Sequence, residues 1–188
     1  EIKTAWANYF SKFISAYSKS EIDLWGITIQ NEPENPAPWE ACVWNSTSEA
    51  LFLRDYLGPI VKRDHPGINI MGFDHNKDHL YSWTKEFLGD SNVTDFLDGM
   101  AFHWYHDGMD RDMDGSYGWR NVAKSSEILG EKGKFLLASE SCNCPKVDHS
   151  LNGSWYRAEK MGHDVIADLE AGSVGWIDWN ILLDYEGG

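Results

Sequence analysis

Apolar positions along the chain alternate between two periods. Over residues 1–19, Ile2, Trp6, Phe10, Phe13 and Tyr17 recur at the spacing of a helix face. Leu24–Ile29 is then a short apolar run of the buried-strand type, followed by a loop rich in proline at Pro33, Pro36 and Pro38. Ser46-Thr47-Ser48-Glu49 has the S-x-x-E capping-box pattern, and Ala50, Leu53, Leu57, Ile60 and Val61 continue it as a helix face. The alternation repeats through a strand at 68–73, helical stretches at 80–88 and 93–97, and a strand at 100–103. It ends with a helix at 119–129, a strand at 135–139, a helix at 155–169 and a strand at 173–179.

Strands separated by helices predict a parallel α/β sheet. An open doubly wound sheet usually carries a glycine-rich phosphate loop after its first strand, and neither GxGxxG nor GxxxxGK occurs here. Polar residues instead stand where the strands run out: Gln30-Asn31-Glu32, Asp74-His75, His103, Glu140, then Asp178 and Asn180. A (β/α)8 TIM barrel gathers the carboxyl ends of its strands around one mouth, so this pattern builds one polar pocket. Five strands cannot close a barrel of eight. Residues 1–188 therefore read as one partial (β/α)8 barrel, from the third helix to the eighth strand, with no second domain. On that reading the fragment should not be active alone.

Composition changes this picture little. The chain has 188 residues, 42% hydrophobic and 24% charged, with ten Trp. Its 16 basic and 30 acidic side chains give a formal charge of −14, which speaks against nucleic acid and against an anionic membrane surface. No apolar run approaches the roughly 20 residues that span a bilayer. The opening residues read as mid-fold helix and carry no secretory signal. Cys42, Cys142 and Cys144 are too few for a disulfide scaffold and lack paired CxxC zinc spacing. Sequons at Asn45, Asn92 and Asn152 permit a secretory-pathway location.

Glu32 and Glu140 each end an apolar run, where a carboxylate is either buried at a cost of several kcal/mol or used. Two carboxylates facing one pocket are the machinery of glycoside cleavage, one protonating the leaving oxygen while the other attacks or activates water. Proximity is expected to keep the proton on Glu32, because the charge of Glu140 raises its neighbour's proton affinity. Two other constellations bear on metals. Asp110, Asp112, Asp114 and Gly115 open a D-x-D-x-D-G calcium-loop pattern, but Asn121 stands where the bidentate Glu belongs. His75 and His79 lack HExxH and are expected on a rim loop, so no metal site is assigned.

Asn31-Glu32-Pro33 and Ala138-Ser139-Glu140 resemble the two catalytic signatures of retaining β-glycosidases with (β/α)8 barrels. With Trp25–Pro33, Ala101-Phe102-His103-Trp104-Tyr105, Ala138–Cys142 and Gly175–Asn180 in order, the chain resembles glycoside hydrolase family 30, nearest its acid β-glucosidase (glucosylceramidase) branch. The resemblance implies Glu32 as acid/base, Glu140 as nucleophile and Asn31 as the partner of the sugar 2-hydroxyl. It implies His103 and Tyr105 as the pair orienting the carboxylates, with Cys142 and Trp179 as pocket walls. Trp25, Trp104 and Trp176 are expected in the core, and Trp39, Trp44 and Trp119 are available as walls. The loop Glu34–Trp44 departs in length from the family pattern, which bears on the aglycone.

The implied reaction is retaining hydrolysis of a β-glucoside, glucosylceramide first, with no cofactor. A glycolipid or β-glucoside substrate, a transient contact with a membrane surface, and a lysosomal or secreted location go with it. The alternatives are a β-1,6-glucanase or β-xylosidase of the same family, a non-catalytic carbohydrate-binding barrel remnant, and a metal-dependent hydrolase built on the histidines.

Overall fold

A computed structural model describes residues 1–105, 117–142 and 155–181. In chain order the elements are α1 (Ile2–Lys19), β1 (Gly26–Thr28), α2 (Ser46–Phe52), a π-helical turn (Leu53–Leu57), α3 (Gly58–Asp64), β2 (Asn69–Asn76), α4 (Lys77–Leu88), α5 (Ser91–Thr94), β3 (Gly99–His103), α6 (Tyr117–Gly130), β4 (Phe135–Glu140) and α7 (Trp155–Glu170). The sheet has the order β1-β2-β3-β4, every pairing parallel. Parallel neighbours need crossover connections, and here helices supply each one.

Both faces of the sheet are covered, which is why its strands read as apolar runs rather than alternating ones. On the helical side, Ile70, Phe73, Met100, Phe102, Leu136 and Ala138 pack with Leu53, Val61, Leu80, Phe87, Val122 and Leu129. On the other face Met71, Ala101 and Leu137 form a small separate layer, with Phe135 against it. Such a layer fills the interior of a barrel, and the sheet with its helices is part of a (β/α)8 barrel.

The strand expected at 173–179 is reduced to a single parallel bridge, Ala138 to Trp176. Val174 N–H still donates to Leu136 O at 2.8 Å and Ile177 N–H to Ala138 O at 2.9 Å. The Ser173 hydroxyl interrupts this edge: it accepts from Ala138 N at 3.0 Å and donates to Gly175 O at 2.7 Å. A side chain that takes ladder partners in this way competes with regular strand pairing.

Two further expectations change at the level of the helices. In α1 the buried residues are Ala7, Ser11 and Ile14, while Ile2, Trp6, Phe13 and Tyr17 are exposed. Small residues allow close approach to α3, and Ser11 Oγ donates to Asp64 Oδ2 at 2.7 Å there. The capping box shifts by one residue: Asn45 is the N-cap, Ser48 N–H donates to its Oδ1 at 2.8 Å, and Ser48 Oγ accepts from Asn45 N. The sequon asparagine Asn45 is thereby engaged at a helix start, Asn92 contacts Asp90, and Asn152 lies outside the described residues.

Freed from capping, Glu49 is fully buried and its Oε1 accepts from Phe73 N–H at 2.9 Å. Burial holds its carboxyl well above the usual range. A neutral acid suits this position, because a buried charge without a counter-ion costs far more than a buried hydrogen-bonded polar group. The backbone it meets is unusual. Phe73 and Asp74 have φ of +75° and +57°, and the β2–β3 register slips between Phe73 and His75. Left-handed non-glycine residues cost of order 1–3 kcal/mol each. This bulge turns Asp74 toward the strand ends.

Candidate active site

The carboxyl ends of β1 to β4 bring Glu32, Asp74, His103, Ser139 and Glu140 together. Glu32 follows β1 in a left-handed conformation (φ +47°), and its N–H donates to Asp74 O at 2.9 Å. Asp74 is buried and collects three neighbours. Thr28 Oγ1 donates to its Oδ2 at 2.6 Å, Ser139 Oγ to its Oδ1 at 2.6 Å, and His103 Nε2 lies 3.2 Å from Oδ1. His103, at the end of β3, is 1% exposed. Its Nδ1 is 3.2 Å from Glu32 Oε1, and its Nε2 is 3.8 Å from Glu140 Oε2. Tyr105 donates its hydroxyl to Glu140 Oε1 at 3.2 Å, and Asn35 Nδ2 donates to Glu32 Oε2 at 2.6 Å. One oxygen of Glu32, one of Glu140 and a ring nitrogen of His103 all lie within 4.8 Å of one another.

This geometry fixes the charge of His103. Both ring nitrogens face carboxylates, so the imidazole does best with both protonated. Burial works against that charge, but the hydrogen bonds and charges of Asp74 and Glu32 outweigh it and push the imidazole up to about 9. Its proton in turn holds Glu32 down at about 2, against the opposing pull of burial. Asp74 is buried too, which raises it, yet His103, Ser139 and Thr28 bring it below the ordinary carboxylate value. Burial raises Glu140, helped by the charge of Glu32 and opposed by His103. The expected ordering, with the proton on Glu32, is therefore reversed in the resting site. The proton sits one contact away, on His103, because the imidazolium bonded to Glu32 at 3.2 Å stabilises that carboxylate more than the unbonded like charge of Glu140 destabilises it.

Glu32, His103 and Glu140 are also the described residues whose ligand atoms converge closely enough to hold a metal ion. An imidazole protonated at both nitrogens has no lone pair to offer a metal. It already places a positive charge among three carboxylates. His75 and His79 do not lie on one rim loop: His75 belongs to β2 and His79 to α4, which starts at Lys77. They straddle Glu34, whose Oε2 is 2.7 Å from His79 Nδ1 and 4.0 Å from His75 Nε2. Asp110, Asp112, Asp114 and Gly115 lie outside the described residues. Asn121 is in α6, where its Nδ2 donates to Lys77 O and Asp78 O at 3.0 and 2.9 Å and ties α6 to the start of α4.

A cleft of about 360 Å³ opens beside this cluster, lined by Asn31, Asp74, His103, Ser139, Glu140 and Trp179 with Trp25, Ile27, Thr28 and Ile177; Glu32 and Tyr105 are not among its lining residues. Asn31 and Trp179 both line this cleft. Cys142 is half-buried and is not among the lining residues, and Trp25, expected in the core, is 56% exposed at the cleft wall. Trp104 is buried as expected. Trp39 is exposed, Trp44 packs on Phe52 at 5.2 Å, and Trp119 stands against His163 between α6 and α7, away from the cleft. The sequence pattern placed Asp74 among the polar strand ends but gave no role to Asp74, Thr28, Ser139 or Asn35. Asp74, Thr28 and Ser139 carried a usable signal, since each is a polar residue at or next to a strand end. Asn35 carried none.

The glycosyl hydrolase family 30 TIM-barrel domain matches residues 1–188. A Caenorhabditis elegans protein named as a candidate glucosylceramidase is 35% identical over 196 residues, covering 98% of this chain and 35% of that protein. Mouse lysosomal acid glucosylceramidase is 30% identical over 194 residues, with 97% of this chain and 35% of that protein covered. The crystal structure of SrfJ from Salmonella typhimurium superposes with a TM-score of 0.83 at 29% identity, covering 99% of this chain and 39% of SrfJ. The chain spans about a third of the length of the curated relatives it matches. A family match along its whole length, over strand ends that converge on paired carboxylates, means that the chain belongs to glycosyl hydrolase family 30, as part of its TIM-barrel domain.

Proposed function

We propose that this chain is part of the single catalytic barrel of a retaining β-glycosidase that cleaves glucosylceramide or a closely similar lipid-linked β-glucoside. The observation that carries the reading is the approach of Glu32 and Glu140 to within 4.8 Å, oxygen to oxygen. Retaining glycosidases hold their two carboxyl groups about 5–5.5 Å apart, whereas inverting ones leave about 6.5–9.5 Å for a water. In this mechanism the Glu140 carboxylate attacks the anomeric carbon while Glu32 gives a proton to the glycosidic oxygen, and the aglycone leaves as the alcohol. Water then loses a proton to Glu32 and attacks the same carbon, releasing glucose and restoring Glu140. Asn31 takes the sugar 2-hydroxyl, and the faces of Trp25 and Trp179 receive the C–H surface of the sugar. Two relatives named as glucosylceramidases support the lipid aglycone, and the exposed apolar wall of Trp25, Ile177 and Trp179 is compatible with it. The mouse relative's lysosomal name supports a lysosomal or secreted location, with transient contact at a membrane surface.

The proton that Glu32 donates is supplied across the 3.2 Å contact with His103. As Glu140 gives up its charge to the forming bond, the imidazolium loses one of the three carboxylates around it, and its hold on that proton loosens within the same step. Proton NMR of the first-formed glucose tests the reading on the intact protein that carries this chain. The β-anomer is expected, and α-glucose as the first product would overturn it. Turnover of β-1,6-gluco-oligosaccharides exceeding that of glucosylceramide in mixed vesicles would move the substrate to the glycan alternative.

The pH dependence follows from the same groups. Glu140 must be ionised, and burial holds it above the ordinary carboxylate value, so kcat/KM is expected to fall on the acid side through that raised value. The Glu32–His103 pair must keep one proton, so the alkaline limb is expected near 9. An alkaline limb within the ordinary carboxylate range would show that Glu32 itself stores the proton.

A further inference from the structure

Glu32 is held at both oxygens: Oε1 meets His103, and Oε2 accepts from Asn35. The second contact arises from the local chain. Asn35 N–H donates to Glu32 O at 2.9 Å, closing a four-residue turn with Pro33 at its second position, where proline's fixed φ is favoured. A turn of this kind brings the side chain of its fourth residue back over its first. The loop is fixed on either side of Asn35. Trp44 N–H donates to Pro33 O at 2.8 Å, Trp44 packs on Phe52, and the adjacent Glu34 is bonded to His79 on α4. The amide is therefore presented by an anchored turn, at a distance of 2.6 Å.

We propose that Asn35 is a positioning residue for Glu32: its amide fixes the rotation of the carboxyl group and reserves Oε2 as the hydrogen-bonded oxygen, leaving Oε1 to exchange the proton with His103. The structural part of this assignment is independent of the reaction; its kinetic consequence rests on the glycosidase reading above. An amide N–H bonds a carboxylate better than a carboxylic acid, so Asn35 keeps Glu32 ionised in the resting site. The groups that face Glu32 are His103 from β3, His75 and Asp74 from β2, Glu140 from β4 and Asn35 from its own loop. Asn35 is the neutral donor among them, and it can be altered without changing the charges of the others.

The test uses two variants in the intact protein, Asn35→Ala and Asn35→Asp. The second keeps the shape of the side chain, removes its donor and sets a like charge beside Glu32. Carbon-13 NMR titration of the Glu32 carboxyl is expected to move upward by about one unit in Asn35→Ala, the size of one lost hydrogen bond to a charged oxygen, and further in Asn35→Asp. In glucoside hydrolysis both variants should lose about tenfold in kcat with KM nearly unchanged, since a misaligned donor weakens the transition state rather than ground-state binding. An unshifted Glu32 titration in two folded variants would overturn the inference, and so would a loss confined to KM. A shifted titration in a protein whose wild-type form does not hydrolyse glucosides would leave Asn35 as assigned and remove the glycosidase reading instead.

Discussion

Replacement of Glu140 by Ala is expected to abolish hydrolysis of β-glucosides, and added azide is expected to restore turnover as α-glucosyl azide. With the nucleophile removed, a small anion occupies the space of the lost carboxylate and attacks the anomeric carbon from that face, expelling the aglycone in one inverting step. Glu32→Ala is expected to behave differently. Loss of a general acid costs about 10²–10⁴ in rate for a poor leaving group. The loss should be much smaller for a dinitrophenyl glucoside, whose phenolate needs no proton. Azide should then intercept the glycosyl enzyme on Glu140 and give β-glucosyl azide. Chromatography and NMR of the two azides check both assignments at once. Both variants yielding the same anomer, or Glu140→Ala keeping a tenth of wild-type activity, would remove the double-displacement scheme.

Lys77→Met is expected to destabilise the fold by about 3–5 kcal/mol, the cost of leaving buried carboxylates without their cation. Lys77 is fully buried, with Nζ 2.6 Å from Asp164 Oδ1 and 2.8 Å from Asp168 Oδ1. The rings of Phe102 and Trp119 flank the ammonium at 5.8 and 5.5 Å. One cation thus serves two carboxylates. Burial and the neighbouring Asp164 push Asp168 up to about 8, against the pull of Lys77, so Asp168 carries a proton in mildly acidic solution. A carboxyl whose folded value lies above its unfolded value favours the folded state at low pH and loses that contribution as pH rises toward the folded value. Stability of the wild type should therefore decline between pH 5 and pH 9. Asp168→Asn keeps the Lys77–Asp164 pair and removes the excess charge, so its melting temperature should fall less over the same range. Parallel declines in the two proteins would show that the cluster does not hold the proton.

These two predictions draw on unequal shares of what the sequence displays. The alternation of helices and strands was legible because a parallel sheet buried on both faces leaves continuous apolar runs, as in Met100-Ala101-Phe102. Glu32 and Glu140 stood out as a candidate pair because a carboxylate that ends such a run has few inexpensive explanations. The face of α1 was not, since periodicity marks a stripe but not whether its aromatic or its small side meets the neighbour. Glu49 illustrates a local signal overridden from a distance. The capping pattern was present, but Asn45 and Ser48 satisfied the helix start and left Glu49 for the Phe73 amide on β2. The position of the active-site proton was hidden for the same reason. It depends on His103 meeting Asp74 and Glu32 from two other strand ends, and no spacing in the sequence expresses that meeting.

The π turn at Leu53–Leu57 bears on which changes of chain length this fold can accept. Its i→i+5 bonding accommodates one residue more than α-helical winding would, and it lies between α2 and α3 without a break. Phe52, Leu53, Leu57 and Val61 are all buried around it, so the extra residue is part of the fit against the sheet. A further residue inserted here would have to be absorbed by ordinary winding and would turn everything beyond it by about 100°. Val61 would swing off the core, and a residue bearing a Cβ would meet the Phe96 ring at the place where Gly58 now passes it. Insertions should accordingly survive in the loop at 36–43 and be eliminated at 53–57, so the two segments differ sharply in how freely their lengths can grow.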